Sequence, residues 1–370
     1  YWQHPLLRAY ARALLNDRSE ADIAFMRYAT HITGIAAQFS QVSQENWQTL
    51  SDHLPHIHAV GDRLAEIALS EDADRELVEL AGEFSWHTMR YLYYRSVDLS
   101  IRVHELSVSA PTNWFVMGMK AWEIADNLPR QATTLNNYGL LWDALGDKRQ
   151  ALKYYELALP VFRKVGDRSG EATTLNNMGL AWSDLGDKRR ALEFSQRALQ
   201  LSQALGDQRG EATMLNNVGL IWSDLGDKDT ALEFFEHSLS LRREVGDRRG
   251  EATALNNIGL VWDELGEARK ALGYYEEALP VFSAVGDRGG EASTLNNIGS
   301  AWDALGEARK ALDYYEQALP VFRAVGDRGG EARTLNNIGA AWSALGEARK
   351  ALDYFNQALE VFSQVGAVDY

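Results

Sequence analysis

"TLNNIGSAWDALGEARKALDYYEQALPVFRAVGDRGGEA" occupies Thr294–Ala332, and nearly the same words precede and follow it. Self-comparison gives a period of forty residues, with copies beginning at Gln131, Glu171, Glu211, Glu251, Glu291 and Glu331. A period of this size marks one supersecondary unit stacked on its neighbours. In the copy beginning at Glu251, the residues Ala252, Leu255, Ile258, Gly259, Trp262 and Leu265 recur at steps of three and four. That spacing predicts an amphipathic helix over 251–265. Gly266 follows as a stop, since glycine accepts the left-handed conformation that ends a helix. A second helical pattern runs through Ala271, Leu272, Tyr275, Ala278, Leu279, Phe282 and Val285 to Gly286. Asp147, Asp187 and Asp227 stand where the second helix begins in sister copies, placed to cap its free amides. Each copy therefore predicts a helical hairpin.

Gly259 and Ala271 predict close approach of the two helices, with Trp262 and Tyr275 filling the remaining space. One hairpin cannot bury such rings alone, so the copies must stack. The tryptophans Trp142, Trp182, Trp222, Trp262, Trp302 and Trp342 are expected in the core. Pro160, Pro280 and Pro320 fall within the second helix, where a bend is expected. The residues Ile258, Gly259, Trp262, Ala271, Tyr275 and Ala278 resemble the tetratricopeptide repeat. The extra length relative to the usual repeat is assigned to the second helix and the "GDRGG" connection. The phrase "LNNIG…W…LG…ALxYYxxAL" is similar to the long repeats of kinesin light chains and of bacterial signalling ATPases. The resemblance covers about 129–366 and implies an all-α, right-handed α-solenoid, preceded by an irregular helical arm.

Two neighbouring asparagines recur in every copy: Asn136, Asn176, Asn216, Asn256, Asn296 and Asn336, each followed by Asn137, Asn177, Asn217, Asn257, Asn297 and Asn337. Asparagine is a poor interior helix former. Its carboxamide offers a donor and an acceptor, a pair suited to the backbone of an extended peptide. The alternative is that the amides bridge adjacent hairpins. Asn256 shares a stripe with Thr253, Leu260 and Asp263, and the resemblance implies that this stripe lines a concave groove. Along the array one lining row reads Leu140, Leu180, Leu220, Leu260, Ser300 and Ala340, and another ends at Arg333. A third reads Asp143, Ser183, Ser223, Asp263, Asp303 and Ser343. An apolar floor is expected in the first four copies and a small, polar one in the last two. The expected guest is a protein or peptide segment with apolar side chains and a basic residue.

Charge bounds the partners. The formal net charge of −15 argues against nucleic acid, which calls for a basic stripe, and against anionic membrane surfaces. There are no cysteines, which excludes disulfides, zinc–thiolate sites and cysteine nucleophiles. The absence of a long apolar run or charged leader predicts a cytoplasmic protein. His53, His56 and His58 are irregularly spaced around Pro55, so no metal is expected. No Ser/His/Asp order or paired carboxylates stand out, and no enzyme activity is expected in this chain.

Before 129 the repeat wording fades. Helices are expected over 19–42, 45–54, 63–69, 75–93, 98–108 and 113–128, as an arm of degenerate hairpins over 19–128. The aromatic cluster Trp86, Tyr91, Tyr93, Tyr94, Trp114, Phe115 and Trp122 reads as core. "WQHPLLRAYARALL", residues 2–15, resembles the end of the winged-helix domain in STAND (NB-ARC-like) signalling ATPases. The resemblance marks 1–18 as a remnant of that domain and implies that His4 touches ADP in the whole protein; Pro5 stands where the family has aspartate. It places the ATPase, with its ADP or ATP and Mg, upstream of Tyr1, since no G-x-x-x-x-G-K-[ST] occurs here. The function expected is the ligand-sensing region of a STAND-type switch, controlling autoinhibition and oligomerisation. The rivals are a peptide or cargo adaptor without a switch, and a scaffold that self-assembles through its ends. The last hairpin favours the second rival, because Phe355, Leu359 and Phe362 have no following copy to cover them.

Overall fold

The computed structural model describes residues 25, 28–34, 60, 64, 80–84, 122 and 127–366. No strand occurs among them. Twelve helices run from Leu128 onward. The first helices of the hairpins are α1 (Leu128–Ala144), α3 (Arg168–Asp184), α5 (Gln208–Asp224), α7 (Arg248–Glu264), α9 (Arg288–Ala304) and α11 (Arg328–Ala344). The second helices are α2 (Lys148–Val165), α4 (Lys188–Leu205), α6 (Lys228–Glu244), α8 (Ala268–Ala284), α10 (Ala308–Val325) and α12 (Ala348–Gly366). The fold is all-α, six consecutive hairpins of the α-solenoid class. The chain divides into two units, 1–181 and 182–370, with the division inside α3. Within the second unit each helix packs on the next, and successive first helices α5, α7, α9 and α11 also touch.

Most of the arm expected before 129 lies outside the described residues, as do His4, the three clustered histidines and the aromatic cluster other than Trp122. Residues 28–34, 64 and 80–84 are helical, within the helices expected there, and Val60 is helical outside them. Trp122 is buried and donates its indole N–H to Thr134 Oγ1 at 3.1 Å. Its ring covers Gly82, where an added Cβ would lie 2.9 Å from the indole.

The "GDRGG" segment is not the connection expected. Only two or three residues separate consecutive hairpins, Val285, Gly286 and Asp287 in one case, and the next helix begins at Arg288. Two local effects set this boundary. Gly286 takes φ 71° and ends the preceding helix, and the Asp287 side chain then accepts from the Gly290 amide at 2.9 Å. Asp167, Asp207, Asp247 and Asp327 cap their helices in the same way. Between the two helices of a hairpin, Asp147, Asp187 and Asp227 accept from the amides of Gln150, Arg190 and Thr230, as expected. Glu267 and Glu307 occupy the same place in later copies and make no cap bond, because the extra methylene carries the carboxylate past the amides. The prolines do not end the helices: α2, α8 and α10 continue beyond Pro160, Pro280 and Pro320, which are all exposed.

Glycine against an aromatic ring holds each hairpin closed. Tyr155, Tyr275 and Tyr315 are fully buried, and a Cβ on Gly139, Gly259 or Gly299 would meet their Cε1 atoms at 2.4, 2.4 and 2.5 Å. A second ring seals the junction to the next hairpin: Phe162, Phe282 and Phe322 lie against Gly170, Gly290 and Gly330, with added Cβ atoms at 2.3–2.4 Å. Two copies depart from this plan. Ser195 and Ser202 replace both rings in the second copy and are buried, the Ser195 hydroxyl without a partner. In the third, Arg242 replaces the junction phenylalanine and reaches Asp247 at 2.9 Å and Ser238 at 3.1 Å. Desolvation holds this guanidinium below its usual pKa, although Asp247 pulls the other way.

Aspartate at positions 267 and 307 restores the missing caps. Glu267→Asp and Glu307→Asp are each expected to stabilise by about 0.5–1 kcal/mol. Urea unfolding followed by circular dichroism reads this as a higher midpoint, and an unchanged midpoint in the double variant would refute it.

Candidate functional site

The conserved face of the first helices begins with its leucines. Leu255 and Ile258 have no solvent exposure, and Gly259 is covered by Tyr275. These residues turn into the hairpin, as the spacing requires, so the asparagine beside Leu255 turns toward the neighbouring first helix. There it meets a partner. The Asn256 Oδ1 accepts from Asn297 Nδ2 at 3.1 Å and from the Thr294 hydroxyl at 3.3 Å. Asn296 accepts from Asn337 at 3.3 Å and from Thr334 at 3.0 Å. Asn216 accepts from Asn257 at 2.9 Å; the threonine is absent there because position 254 is alanine. In the first unit Asn136 accepts from Asn177 at 3.4 Å and from Thr174 at 3.1 Å.

Within each unit the ladder thus joins one hairpin to the next, the first asparagine of one copy to the second asparagine of the following copy. The carbonyls of Asn136, Asn216, Asn256 and Asn296 follow the bridging alternative. These carbonyls carry structure, and Asn136, Asn176 and Asn216 are buried. Each rung uses one carbonyl and one amide. In the second unit the NH₂ of Asn216, Asn256 and Asn296 and the carbonyl of Asn257, Asn297 and Asn337 have no partner among the described residues, and none is a buried unpaired atom. Asn336, in the last copy, is exposed and bonds nothing among the described residues.

Beside the ladder, Leu220 and Leu260 are exposed and Leu180 is half-buried. Thr133, Thr173, Thr213 and Thr253 turn their hydroxyls back to the carbonyl four residues earlier. Arg333 is exposed, and Asp263 and Asp303 are half-buried. Burial pushes the Asp263 carboxyl above its usual range, with Glu264 adding to the effect. The tryptophans are half-buried, and Trp222, Trp262, Trp302 and Trp342 pack against the buried core, as expected. One face is taken by a cation: Lys270 lies 4.1 Å from the Trp262 ring centre, Lys310 4.2 Å from Trp302 and Lys350 4.0 Å from Trp342. In the second copy Arg190 covers Trp182 at 4.3 Å. Among the described residues no group of three or more His, Cys, Asp or Glu side chains is placed to hold a metal, and no helix is long and apolar enough to cross a membrane.

The buried threonines at 174, 294 and 334 went unnoticed in the sequence. Their row reads Thr134, Thr174, Met214, Ala254, Thr294 and Thr334, so its polar character is interrupted mid-array. The signal was their constant place two residues before the asparagines.

The tetratricopeptide repeat family model matches residues 130–204, 210–284, 250–324 and 290–364. The chain belongs to the tetratricopeptide repeat family. Its repeats form a protein-interaction scaffold, with no catalytic domain among the described residues. No curated protein matches the sequence. Among solved structures, the chain is similar to aspartyl phosphate phosphatase F from Bacillus subtilis, at 13% identity and TM-score 0.60, over 96% of this chain and 91% of that one. It is also similar to the Signal Transduction ATPase with Numerous Domains (STAND) protein with a tetratricopeptide repeat sensor, PH0952, from Pyrococcus horikoshii. That match has 16% identity and TM-score 0.57, and covers 89% of this chain but 50% of that one. A third is a Rap protein complexed with Competence and Sporulation Factor, at 12% identity and TM-score 0.53, over 93% and 99% of the two chains. At these identities the likeness is one of fold.

Asn296→Ala removes the acceptor of the buried Thr334 hydroxyl and of the Asn337 amide, and is expected to destabilise by about 1–3 kcal/mol. Asn336→Ala, with no bond to lose, is expected to be neutral within about 0.5 kcal/mol. Equal losses in parallel urea titrations would contradict the bridging role.

Proposed function

We propose that the first-helix face of these tetratricopeptide repeats receives an extended segment of a protein or peptide, and that this binding is the input of a STAND-type switch. The observation that carries the reading is the half-used ladder. In the second unit the rungs Asn216–Asn257, Asn256–Asn297 and Asn296–Asn337 each leave one amide donor and one carbonyl acceptor without a partner among the described residues, and an extended backbone offers their complements. Leu220 and Leu260 stand exposed beside them and supply apolar contact. The solved STAND structure with a tetratricopeptide repeat sensor supports the switch, as does the resemblance of residues 2–15, His4 included, to a winged-helix end. An upstream nucleotide-binding module would then lie in the remaining part of the whole protein, which would act in the cytoplasm. Ligand would favour the active state by binding it more tightly than the resting one.

Because the asparagine carbonyls hold the array together, the leucines are the better probe. The double variant Leu220→Ser, Leu260→Ser keeps the ladder and removes the apolar contact. Captured from lysate and measured by calorimetry, a bound segment is expected to weaken at least tenfold against this variant at equal helicity. Unchanged affinity would place binding elsewhere. Nucleotide exchange in the full-length protein, accelerated by the same segment, separates the switch from a simple adaptor.

The α11–α12 hairpin favours a second reading, self-assembly through its exposed apolar face. Leu352, Leu359 and Phe362 are 59%, 66% and 45% exposed, whereas their counterparts Leu312, Leu319 and Phe322 are under 10% exposed beneath the next helix. Sedimentation of the chain against Leu359→Glu is the test. A concentration-dependent dimer lost in the variant supports self-assembly, and a monomer at all concentrations removes it.

A further inference from the structure

In the second unit a cation is held repeatedly in one two-walled place, between the indole near the end of a first helix and the carboxylate that begins the second helix. In the second copy the Arg190 guanidinium lies 4.3 Å from the Trp182 ring centre and 3.4 Å from Asp187. In the fourth, Lys270 lies 4.1 Å from the Trp262 ring centre and 3.7 Å from Glu267. Lys310 stands 4.2 Å from Trp302 and 3.6 Å from Glu307, and Lys350 stands 4.0 Å from Trp342 and 3.8 Å from Glu347. Each of these cations sits in the first turn of its helix, where the positive end of the dipole disfavours it. Attraction to the ring face and the carboxylate offsets that repulsion. The place is open to solvent, since the four side chains remain 51–55% exposed within it.

The third copy keeps both walls and changes what stands between them. Trp222 packs against the core as its counterparts do, and Asp227 begins α6 as Asp187 begins α4. The residue in register with Arg190 and Lys270 is Thr230. Its hydroxyl and amide both bond Asp227, at 2.8 and 3.1 Å. Among the described residues no cation lies over the Trp222 ring, in contrast to Trp182, Trp262, Trp302 and Trp342. Lys228 is committed elsewhere, to Ser223 at 2.9 Å and to Glu264. The neighbouring position changes too: the row Arg149, Arg189, Asp229, Arg269, Arg309 and Arg349 is basic except in this copy. Asp229 is exposed and has no ion-pair partner among the described residues. The first copy carries Gln150 in the cation's register but keeps Arg149 beside it.

We propose that Trp222, Asp227 and Asp229 form a docking point for one arginine side chain of a partner protein. That side chain brings from outside the guanidinium that Arg190 provides within the second copy. It stacks on the Trp222 indole and donates N–H groups to Asp227, whose two oxygens keep lone pairs beyond the two bonds from Thr230. Asp229 adds charge of the attracting sign. The pairing of tryptophan with aspartate is the one that Arg190 occupies in the second copy, and a weakly hydrated guanidinium gives up less water on stacking than an ammonium does. The site lies at the turn between α5 and α6 and does not depend on reading the asparagine face as a peptide groove.

The test follows the fluorine resonance of Trp222 in the chain labelled with 5-fluorotryptophan, assigned through its loss in Trp222→Phe. The probes are acetyl-Gly-Arg-Gly-amide and the same peptide with citrulline or lysine in place of arginine. The Trp222 resonance is expected to move saturably with the arginine peptide, about tenfold more tightly than with the citrulline peptide. The resonances of Trp262 and Trp302, already covered by lysine, are expected to stay still. Thr230→Arg, which sets an arginine in register with Arg190, is expected to abolish the response at unchanged circular dichroism. Asp229→Arg is expected to weaken it about threefold. Equal responses to arginine and citrulline, a response that persists in Thr230→Arg, or no response at all overturns the docking point. Lysine bound as tightly as arginine overturns the choice of arginine.

Discussion

An aromatic ring laid on bare backbone sets the geometry on which everything else in this array depends. Tyr275 rests where a Cβ of Gly259 would be, so α7 and α8 approach more closely than any other residue at 259 would allow. That closeness aims Leu255 and Ile258 inward and leaves the adjacent asparagine pointing along the stack. A slightly wider hairpin would rotate the asparagines out of reach of their neighbours. The polar ladder is thus a consequence of apolar packing: dense cores tolerate few alternative arrangements, and the carboxamides bond where those cores place them.

The division of labour in each asparagine pair follows. One carbonyl and one amide per rung are satisfied internally, which offsets the helix-propensity cost of asparagine and fixes the spacing between hairpins. In the second unit the other two groups have no partner among the described residues. A face built this way is preorganised, since its donors and acceptors are held by bonds that no guest has to form. The same device ties recognition to integrity: removing an asparagine disturbs both.

Much of this was legible in the sequence, and the failures are instructive. The period, the hairpins and the contact of Gly259 with Tyr275 follow from spacing and residue size alone. The aspartate caps at 147, 187 and 227 follow from the same chemistry. The start of the first helix did not, because the two glycines at 289 and 290 read as a loop; Gly290 is small to admit the Phe282 ring, not to permit a turn. Periodicity places a residue on a face but cannot say how far that face lies from its neighbour. For this reason Asn256 read as lining, when an adjacent helix lay within hydrogen-bond reach of it. The tryptophans do pack on the core, but the lysine over the rings of Trp262, Trp302 and Trp342 was not legible in the spacing.

The second copy bears on how the array comes apart. Stability in stacked repeats is close to a sum of units and their nearest-neighbour contacts, so a unit that lacks both sealing rings is a weak term in that sum. Ser195 and Ser202 replace two aromatic side chains with hydroxyl groups, one of them unpaired and buried. A chain of strong terms with one weak term does not melt as a single cooperative block. It opens first at the weak member, and amide hydrogens there exchange through partial openings that leave the ring-sealed copies folded.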